Sequence, residues 1–303
     1  MIPKTSVGSS HGKRSRLPAF LLLLAVSVVV WWRPLASTLR LALESDAHTQ
    51  ILLILPLSAA LIYTERKTIR PEFSRSLGAG VSLLIVALLI AARSSWGAGG
   101  MPDDVRLSLS MFALVTWWMG SVLLCFGART FQSLLFPLCF LFWIVPLPEF
   151  ALSGIVQFLQ QQSAFAARLL FRAAGTPVAQ DGIMLSIPGL DIQVAPQCSS
   201  IRSSMFLVVT TMFVAQLLLR SWWRKALLIA AAVPLSVAKN GLRIMVIGEL
   251  ATRVDPGFLD GRLHHHGGIV FFAVSVVALA GLLWILQRTE TTAPGQLQDP
   301  RVR

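Results

Sequence analysis

Three residues in the second half of the sequence, Cys198, Arg243 and His264, could together perform acyl transfer. A thiol attacks as its thiolate, which a nearby cation favours. An imidazole can accept the thiol proton and later donate a proton to a leaving amine. A guanidinium can stabilise the oxyanion of a tetrahedral intermediate or orient the substrate. The trio therefore predicts a cysteine-dependent hydrolase or transpeptidase.

The neighbours of the trio offer supporting groups. Asn240 lies one helical turn before Arg243, on the same predicted helix face. Ser199 follows the cysteine directly and is a second supporting candidate. His264 begins a run of three histidines, so His265 is the alternative general base. A guanidinium in a spanning helix is costly unless it is paired or hydrated, which favours a functional role for Arg243.

The elements that position these residues are predicted to be membrane helices. Of the 303 residues, 55% are hydrophobic and 13% are charged, and the apolar residues occur in blocks of spanning length. The sequence therefore predicts an all-α integral membrane protein with about eight transmembrane helices. The predicted spans are Leu17–Trp32, Ile51–Tyr63, Leu77–Ala92, Leu107–Phe126, Phe131–Val145, Met205–Leu219, Leu227–Gly248 and Gly268–Gln287. The second is short and must be extended by residues 47–50 or tilted within a bundle.

The net charge of +12 is explained by topology. With a cytoplasmic N-terminus, the inner loops and tails hold 15 Lys and Arg against four acidic residues, and the outer loops hold eight against ten. This asymmetry follows the positive-inside rule, so the charge does not require a nucleic-acid partner. We expect a multi-pass protein of the cell (inner) membrane with both termini in the cytoplasm.

This topology divides the chain into a cytoplasmic N-terminal segment (1–16), a multi-pass membrane domain (17–287) and a disordered cytoplasmic tail (288–303). No small-residue cleavage site follows the first apolar block, so we expect an uncleaved first helix. Residues 151–174 are amphipathic and rich in glutamine, which predicts an interfacial helix on the outer side. The following stretch, 176–197, alternates apolar and polar residues and predicts two short strands or an extended hairpin in an extracytoplasmic loop before Cys198.

Eight spans with both ends inside bring the reactive residues to one side. Cys198 precedes the sixth span, Arg243 lies near the outer end of the seventh, and His264 precedes the eighth. The predicted active site therefore lies on the extracytoplasmic or periplasmic face. The other cysteines, Cys125 and Cys139, lie inside apolar blocks and are interpreted as small core residues.

Two other classes of function compete with a cysteine enzyme. In a polytopic transporter, Lys239 and Arg243 would form an anion site. In an intramembrane metalloprotease, the histidines would hold a metal, together with Cys198 in one arrangement. Consecutive helical residues diverge by about 100°, so they rarely share one ion, and no HExxH-type pair is present. We therefore predict no metal and no cofactor.

Ordered motifs between Ala47 and Phe272 make the sequence similar to a known family. Cys198–Ser203 (CSSIRS) resembles the Cys-Ser-Gly-Ile-Arg-Ser box of the exosortase/archaeosortase family, with Ser200 in place of glycine. Asn240-Gly-Leu-Arg243-Ile, after Pro234, resembles the family's Asn-x-x-Arg helix. His264-x-x-x-Gly268-x-x-x-Phe272 resembles its final helix. Weaker matches are His48 with the segment 54–63, and the segment 136–149.

The resemblance implies a membrane cysteine transpeptidase of the thiol-protease type, in which Cys198, Arg243 and His264 are catalytic. Its substrates would be secreted proteins with a C-terminal tripartite signal, namely a short Pro-Glu-Pro-like (PEP-CTERM) motif, a transmembrane helix and a basic tail. Cys198 would cleave near the motif and form an acyl-enzyme. An acceptor nucleophile of unknown identity, such as a lipid or an envelope- or exopolysaccharide-linked group, would then take the protein.

Overall fold

The computed structural model describes residues 11–66, 77–96, 100–194, 201–255, 257 and 268–291. The chain divides into two compact units, Met1–Ala151 and Leu152–Arg303, which we call the first and the second unit. Helices form most of both, as expected of an all-α membrane protein. The first ten residues and the tail from 292 onward lie outside the described residues, so their predicted roles remain predictions.

The first unit contains six described α-helices and one short 3₁₀ turn. A bend of 71° at Trp31 separates the first two helices, and a left-handed Gly127 (φ 85°) kinks the fifth. Only glycine adopts that φ at low cost. The elements are α1 (His11–Val30), α2 (Trp32–Glu44), α3 (Ile51–Glu65), α4 (Leu77–Trp96), α5 (Asp103–Ser133), α6 (Leu135–Phe140) and the 3₁₀ turn Leu141–Ile144.

The long helix α5 organises the first unit. A Cβ on Gly80 of α4 would lie 2.8 Å from the Leu124 Cα of α5, so the two helices pack backbone to backbone. Two turns earlier on α5, the indole of Trp117 donates to the Leu23 carbonyl of α1 (3.1 Å). Such close approach through small residues is how helices associate without a hydrophobic driving force in lipid.

The second unit consists of α7 (Glu149–Ala173), a small sheet and three long helices. The antiparallel strands β1 (Ala179–Asp181), β2 (Met184–Ile187) and β3 (Leu190–Gln193) pair in that order. They lie within the stretch where the sequence predicts two strands or a hairpin. The helices are α8 (Ile201–Leu218), α9 (Trp222–Arg253) and α10 (Gly268–Thr291).

Two clusters hold the second unit together. One joins α7, the sheet and α9 through Ala167, Phe171, Leu185 and Ile244. The other packs apolar side chains of α8, α9 and α10 against one another: Leu207, Ala215, Leu219, Leu228, Ala232, Leu279 and Leu286. Side chains of the sheet and of α7 therefore surround the second half of α9, whereas α8 and α10 flank its first half.

The number of helices that could span the membrane is smaller than the predicted eight in the described part of the chain. In the described part of the chain, five helices (α4, α5, α8, α9 and α10) are long and apolar enough to cross a membrane. The pairs α1–α2 and α6–α7, each interrupted by a short break, raise the number to seven if each is one span. The helix α3 is apolar but has only 15 residues.

The structure adds detail to two predicted segments. The predicted span Phe131–Val145 begins in the last residues of α5 and continues through α6 and the 3₁₀ turn. The last two elements have a combined length of roughly 17 Å, which is short of the ~30 Å hydrocarbon layer. The stretch 151–174 is helical, and its second half runs along α9, where small residues permit close packing. Its placement at the outer interface remains a prediction.

Candidate active site

The candidate site is built on α9, which continues from Trp222 to Arg253 through Pro234. Its N-terminal end is fixed by Glu290 of α10, whose carboxylate accepts the backbone N–H of Ser221 (2.7 Å) and pairs with Arg224 (3.3 Å). An acidic group at a helix N-terminus satisfies backbone donors that lack partners and complements the helix dipole. The N-terminal end of α9 therefore lies beside the C-terminal end of α10.

Of the predicted site residues, Arg243 and Asn240 are described. Both lie in the second half of α9, where Asn240 is 1% exposed and Arg243 is partly buried. Cys198, Ser199, His264 and His265 lie outside the described residues, so the structure gives no distances between the members of the trio. What it does describe is the set of polar groups that bond to α9 in the turns just before Arg243.

One group of contacts joins α9 to the first turn of α8. The ammonium of Lys239, 5% exposed, donates a hydrogen bond to the hydroxyl of Ser203. One turn earlier on α9, the hydroxyl of Ser236 lies 2.5 Å from that of Ser204. These contacts place the beginning of α8 beside the middle of α9, within a turn of Arg243.

A second group of contacts joins α9 to α7. The Asn240 amide donates to the Ser163 hydroxyl (2.9 Å), and both side chains are buried. A Cβ on Gly241 would lie 2.7 Å from the Cβ of Ala166 and 2.9 Å from the backbone nitrogen of Ala167. Glycine at this position therefore brings the two helices close enough for the Asn240–Ser163 hydrogen bond.

The contacts continue in the same order towards the end of α9. A Cβ on Gly248 would lie 2.8 Å from the Phe171 ring of α7, and the Thr176 hydroxyl bonds the carboxylate of Glu249. Residue numbers rise together along both helices, so α7 and α9 are parallel here. Arg253, one turn later, pairs with Glu249 at 2.6 Å. This end of α9 therefore has an ion pair of its own.

The sheet is anchored to α7 by a buried amide. Gln160 Nε2 donates a hydrogen bond to the Val194 carbonyl (2.7 Å). Val194 is the last described residue before the segment that contains Cys198. Val194 and Leu185 are both fully buried. The backbone is therefore held against α7 at Val194, four residues before Cys198, and the described residues resume at Ile201.

We define the α9 polar cluster as Ser163, Ser203, Ser204, Ser236, Lys239 and Asn240. The sequence interpretation gave a role to Asn240 and considered Lys239, but it missed the four serines. A signal for Ser163 was present: Gln160, Ser163, Ala164, Ala167 and Phe171 repeat at the spacing of one helix face, and all are buried. Small and polar residues in that pattern favour helix-to-helix packing over an interfacial position.

The chemistry of the cluster is that of positioning and charge. It combines an ammonium, a carboxamide and hydroxyls beside a guanidinium, and it contains no carboxylate. The described residues contain no group of three His, Cys, Asp or Glu side chains that could hold a metal ion. The three histidines lie outside them, so the metal alternative is not tested by this finding.

A comparison with family models decides the family. The model of the transmembrane exosortase family matches residues 31–281. The chain belongs to the transmembrane exosortase family. Its members are membrane transpeptidases that process C-terminal sorting signals of secreted proteins, so this exosortase is a multi-pass membrane protein. Neither a curated protein nor a solved structure matches the chain significantly.

Proposed function

We propose that this exosortase cleaves a C-terminal tripartite sorting signal through an acyl-enzyme on Cys198. The Cys198 thiolate attacks the carbonyl carbon of a peptide bond near the Pro-Glu-Pro-like motif. His264 accepts the thiol proton and gives it to the departing amine when the C–N bond breaks. The acceptor nucleophile then loses its proton to His264 and attacks the thioester carbonyl, and the C–S bond breaks to release the Cys198 sulfur, which regains the proton.

Arg243 stabilises the oxyanion of the two tetrahedral intermediates or holds the substrate carbonyl in line with the thiol. The polar cluster on α9 supports this role because it fixes the helix around Arg243 on two sides. Asn240 and Lys239 bond to α7 and α8 respectively, so α9 resists rotation about its axis. A donor that is held before the reaction needs no reorganisation during it, which is the source of its catalytic effect.

Helix lengths support placing the trio at one depth. The Ser221 N–H and the Glu290 carboxylate meet at the shared end of α9 and α10. Arg243 and Gly268 each lie about 33 Å along their helices from that contact, at 1.5 Å per residue. His264 precedes Gly268 by four residues, and Cys198 precedes the first turn of α8, which bonds to α9 beside Asn240. The equal depth of Arg243 and Gly268 is the single observation that carries the proposal.

The direct test is to trap a covalent intermediate. Purified enzyme in lipid nanodiscs would be mixed with a peptide that carries a candidate motif and a spanning helix, quenched in acid and digested. We expect a thioester adduct on the peptide that contains Cys198, which hydroxylamine removes. Cys198→Ala should give no adduct and no processing at equal membrane abundance.

The two other cysteines provide matched controls. Cys125 is buried and Cys139 is exposed, and both lie in the first unit. Cys125→Ala and Cys139→Ala should keep the adduct and the processing rate. Processing at the unmodified rate by the Cys198→Ala or the Cys198→Ser enzyme would show that the Cys198 thiolate is not the nucleophile.

We also propose that the site faces the extracytoplasmic side, with both termini in the cytoplasm. The contacts of Glu290 with Ser221 and Arg224 support a common side for the α8–α9 connection and the end of α10. Reporter fusions at Arg224 and after Arg288 should both report the cytoplasm, and a membrane-impermeant thiol reagent should label Cys198 from outside. Opposite signals from the two fusions would contradict this topology.

A further inference from the structure

We infer that the first unit holds one phospholipid in an apolar cavity beneath α2. The cavity has a volume of about 370 Å³ and lies between the end of α1, the apolar side of α2, and α3. Its floor consists of buried side chains, namely Thr38, Ile51, Met111 and Ile144. This inference concerns residues of the first unit alone and does not depend on the proposed catalytic mechanism.

The rim of the cavity shows which phase it opens to. Its residues are apolar and largely exposed: Val28 (53%), Trp32 (62%), Leu39 (53%) and Leu55 (49%). An apolar rim of this kind in a membrane protein faces hydrocarbon rather than water. Since a water-sized group occupies about 30 Å³ in a liquid, the cavity accommodates on the order of a dozen methylene-sized groups. Most of one acyl chain would therefore fit.

The orientation of α2 places a lipid headgroup beside the cavity. α1 ends at Val30, and α2 turns away from it by 71°, so α2 lies close to the membrane plane if α1 crosses it. Arg33, Ser37 and Arg40 share the exposed face of α2 at helical spacing, whereas Leu35 and Leu39 face the cavity. An interfacial helix with a basic polar face attracts anionic headgroups.

A single polar atom within the cavity favours an ester lipid over a plain hydrocarbon chain. The hydroxyl of Thr38 is buried, lines the cavity and makes no hydrogen bond within the described residues. A buried hydroxyl without a partner is unfavourable, and a helical threonine usually bonds a carbonyl of the preceding turn instead. After a rotation of the Thr38 side chain that exposes its hydroxyl, a glycerol ester carbonyl within the cavity would accept this hydrogen bond while the acyl chain fills the remaining space.

The ligand is therefore an anionic phospholipid with one acyl chain beneath α2, its ester at Thr38 and its phosphate near Arg33 and Arg40. The probe would be phosphatidylglycerol with a photoactivatable group midway along one acyl chain, added to the full-length enzyme in nanodiscs. After irradiation, mass spectrometry of the digested protein would locate the label. We expect it on α2 and α3, with phosphatidylglycerol labelling several-fold more than phosphatidylcholine.

Matched variants separate a built site from general lipid contact. Ala36→Trp fills the cavity and should reduce labelling at least five-fold. Leu43→Trp adds the same ring to the same helix at an exposed position outside the cavity lining and should change nothing. Thr38→Val keeps the shape but removes the hydroxyl, so it should lower labelling about three-fold while the protein stays folded.

Three outcomes would overturn the inference. Equal labelling in Ala36→Trp, Leu43→Trp and the unmodified protein would mean bulk lipid contact only. An unchanged preference for phosphatidylglycerol in the Arg33→Gln, Arg40→Gln double variant would remove the headgroup assignment. Labelling that is displaced by a sorting-signal peptide and is insensitive to the arginine substitutions would assign the cavity to a protein helix. The melting temperature of each variant, measured in parallel, identifies any that fail to fold.

Discussion

In the first unit, buried hydroxyls bond to carbonyls of their own helix or to one another, as Ser110 of α5 does with Ser94 of α4 (3.0 Å), whereas in the second unit a buried ammonium and a buried carboxamide bond to side chains of other helices. Thr116 and Ser121 donate to the carbonyls of Phe112 (2.9 Å) and Trp117 (2.8 Å), all within α5. In the second unit, the Lys239 ammonium and the Asn240 amide bond to side chains of α8 and α7.

The difference has a physical meaning. A hydroxyl that donates to a carbonyl of its own helix satisfies its hydrogen bond without water and does not constrain a neighbouring helix. An ammonium or carboxamide needs partners from other helices, so it fixes the relative rotation and depth of those helices. An ionisable side chain inside a spanning helix is costly in lipid, and such residues commonly mark functional regions. The comparison therefore supports the proposal that the chemistry lies in the second unit and that the first is largely a scaffold.

The sharpest way to break this comparison is to replace an arginine in each unit. Arg243→Lys keeps the charge but loses the planar fork of donors, and losing one preorganised donor costs on the order of 10²–10³ in rate. Arg243→Ala should lose essentially all activity. The control is Arg106→Lys in the first unit, where Arg106 pairs with the exposed Asp103 (3.3 Å) and we expect little change.

The measurement is turnover of one sorting-signal substrate, normalised to membrane abundance. If Arg243→Lys turns over like the unmodified enzyme at equal abundance, Arg243 is an anchor at the membrane interface and the second unit loses its central catalytic assignment.

A second prediction uses the glycines at which helices approach most closely in each unit. Gly241→Ala and Gly80→Ala each place a Cβ within 3 Å of a neighbouring helix backbone. Overpacking of this kind costs about 1–3 kcal/mol, so both should melt at lower temperature in detergent. Only Gly241→Ala should also lower the activity per folded molecule, because it separates Asn240 from Ser163.

The controls for the glycine pair are Gly154→Ala and Gly281→Ala, where no atom lies within 4 Å of the added Cβ. Both should be neutral or slightly stabilising, since alanine favours a helix over glycine by about 0.5–1 kcal/mol. Equal loss of activity per folded molecule in Gly80→Ala and Gly241→Ala would remove the functional distinction between the units.

A third prediction concerns the hydrogen bond between Asn240 and Ser163. A double-mutant cycle of Asn240→Ala and Ser163→Ala should give a coupling free energy of about 0.6 kcal/mol, the average for hydrogen bonds between membrane helices, and at most about 1.7 kcal/mol. Asn240→Ala should reduce turnover less than Arg243→Ala, because it acts by positioning α9. A coupling free energy of zero, with both single variants fully active, would show that the contact between α7 and α9 does not contribute to catalysis.

The smallest expected effect is a pH dependence from the first unit. His48 lies in the turn between α2 and α3, is 5% exposed, and its Nδ1 lies 3.1 Å from the Ser45 hydroxyl. Burial lowers the pKa of His48 below its ordinary 6.5, although the Leu147 carbonyl and the Glu149 carboxylate oppose this. The unfolded chain therefore binds a proton more readily, and stability is lost as pH falls below about 6.5.

We expect the melting temperature to fall between pH 7 and pH 5, and His48→Gln to flatten part of that slope. Turnover per folded molecule should not follow the same curve. A His48→Gln enzyme with an unchanged stability profile would mean that the imidazole is protonated without cost in the folded state.

The sequence by itself determined the membrane class, the positions of the long spans and the residue types of the site. Blocks of apolar residues and an asymmetric distribution of charge are local properties, and they survive in any packing of the helices. The motifs around Cys198, Arg243 and His264 likewise carried the family, which the match to residues 31–281 confirms. The catalytic roles of these three residues remain predictions.

Only the tertiary structure decided how α7 and α9 meet. Sequence periodicity showed that residues 151–174 form an amphipathic helix, but an amphipathic face packs equally well against an interface or a neighbouring helix. The choice depends on the partner surface, here the gap at Gly241 and the amide of Asn240, which lie some 80 residues further along the chain. The same holds for Ser203 and Lys239, because a hydrogen bond between distant segments has no local signature.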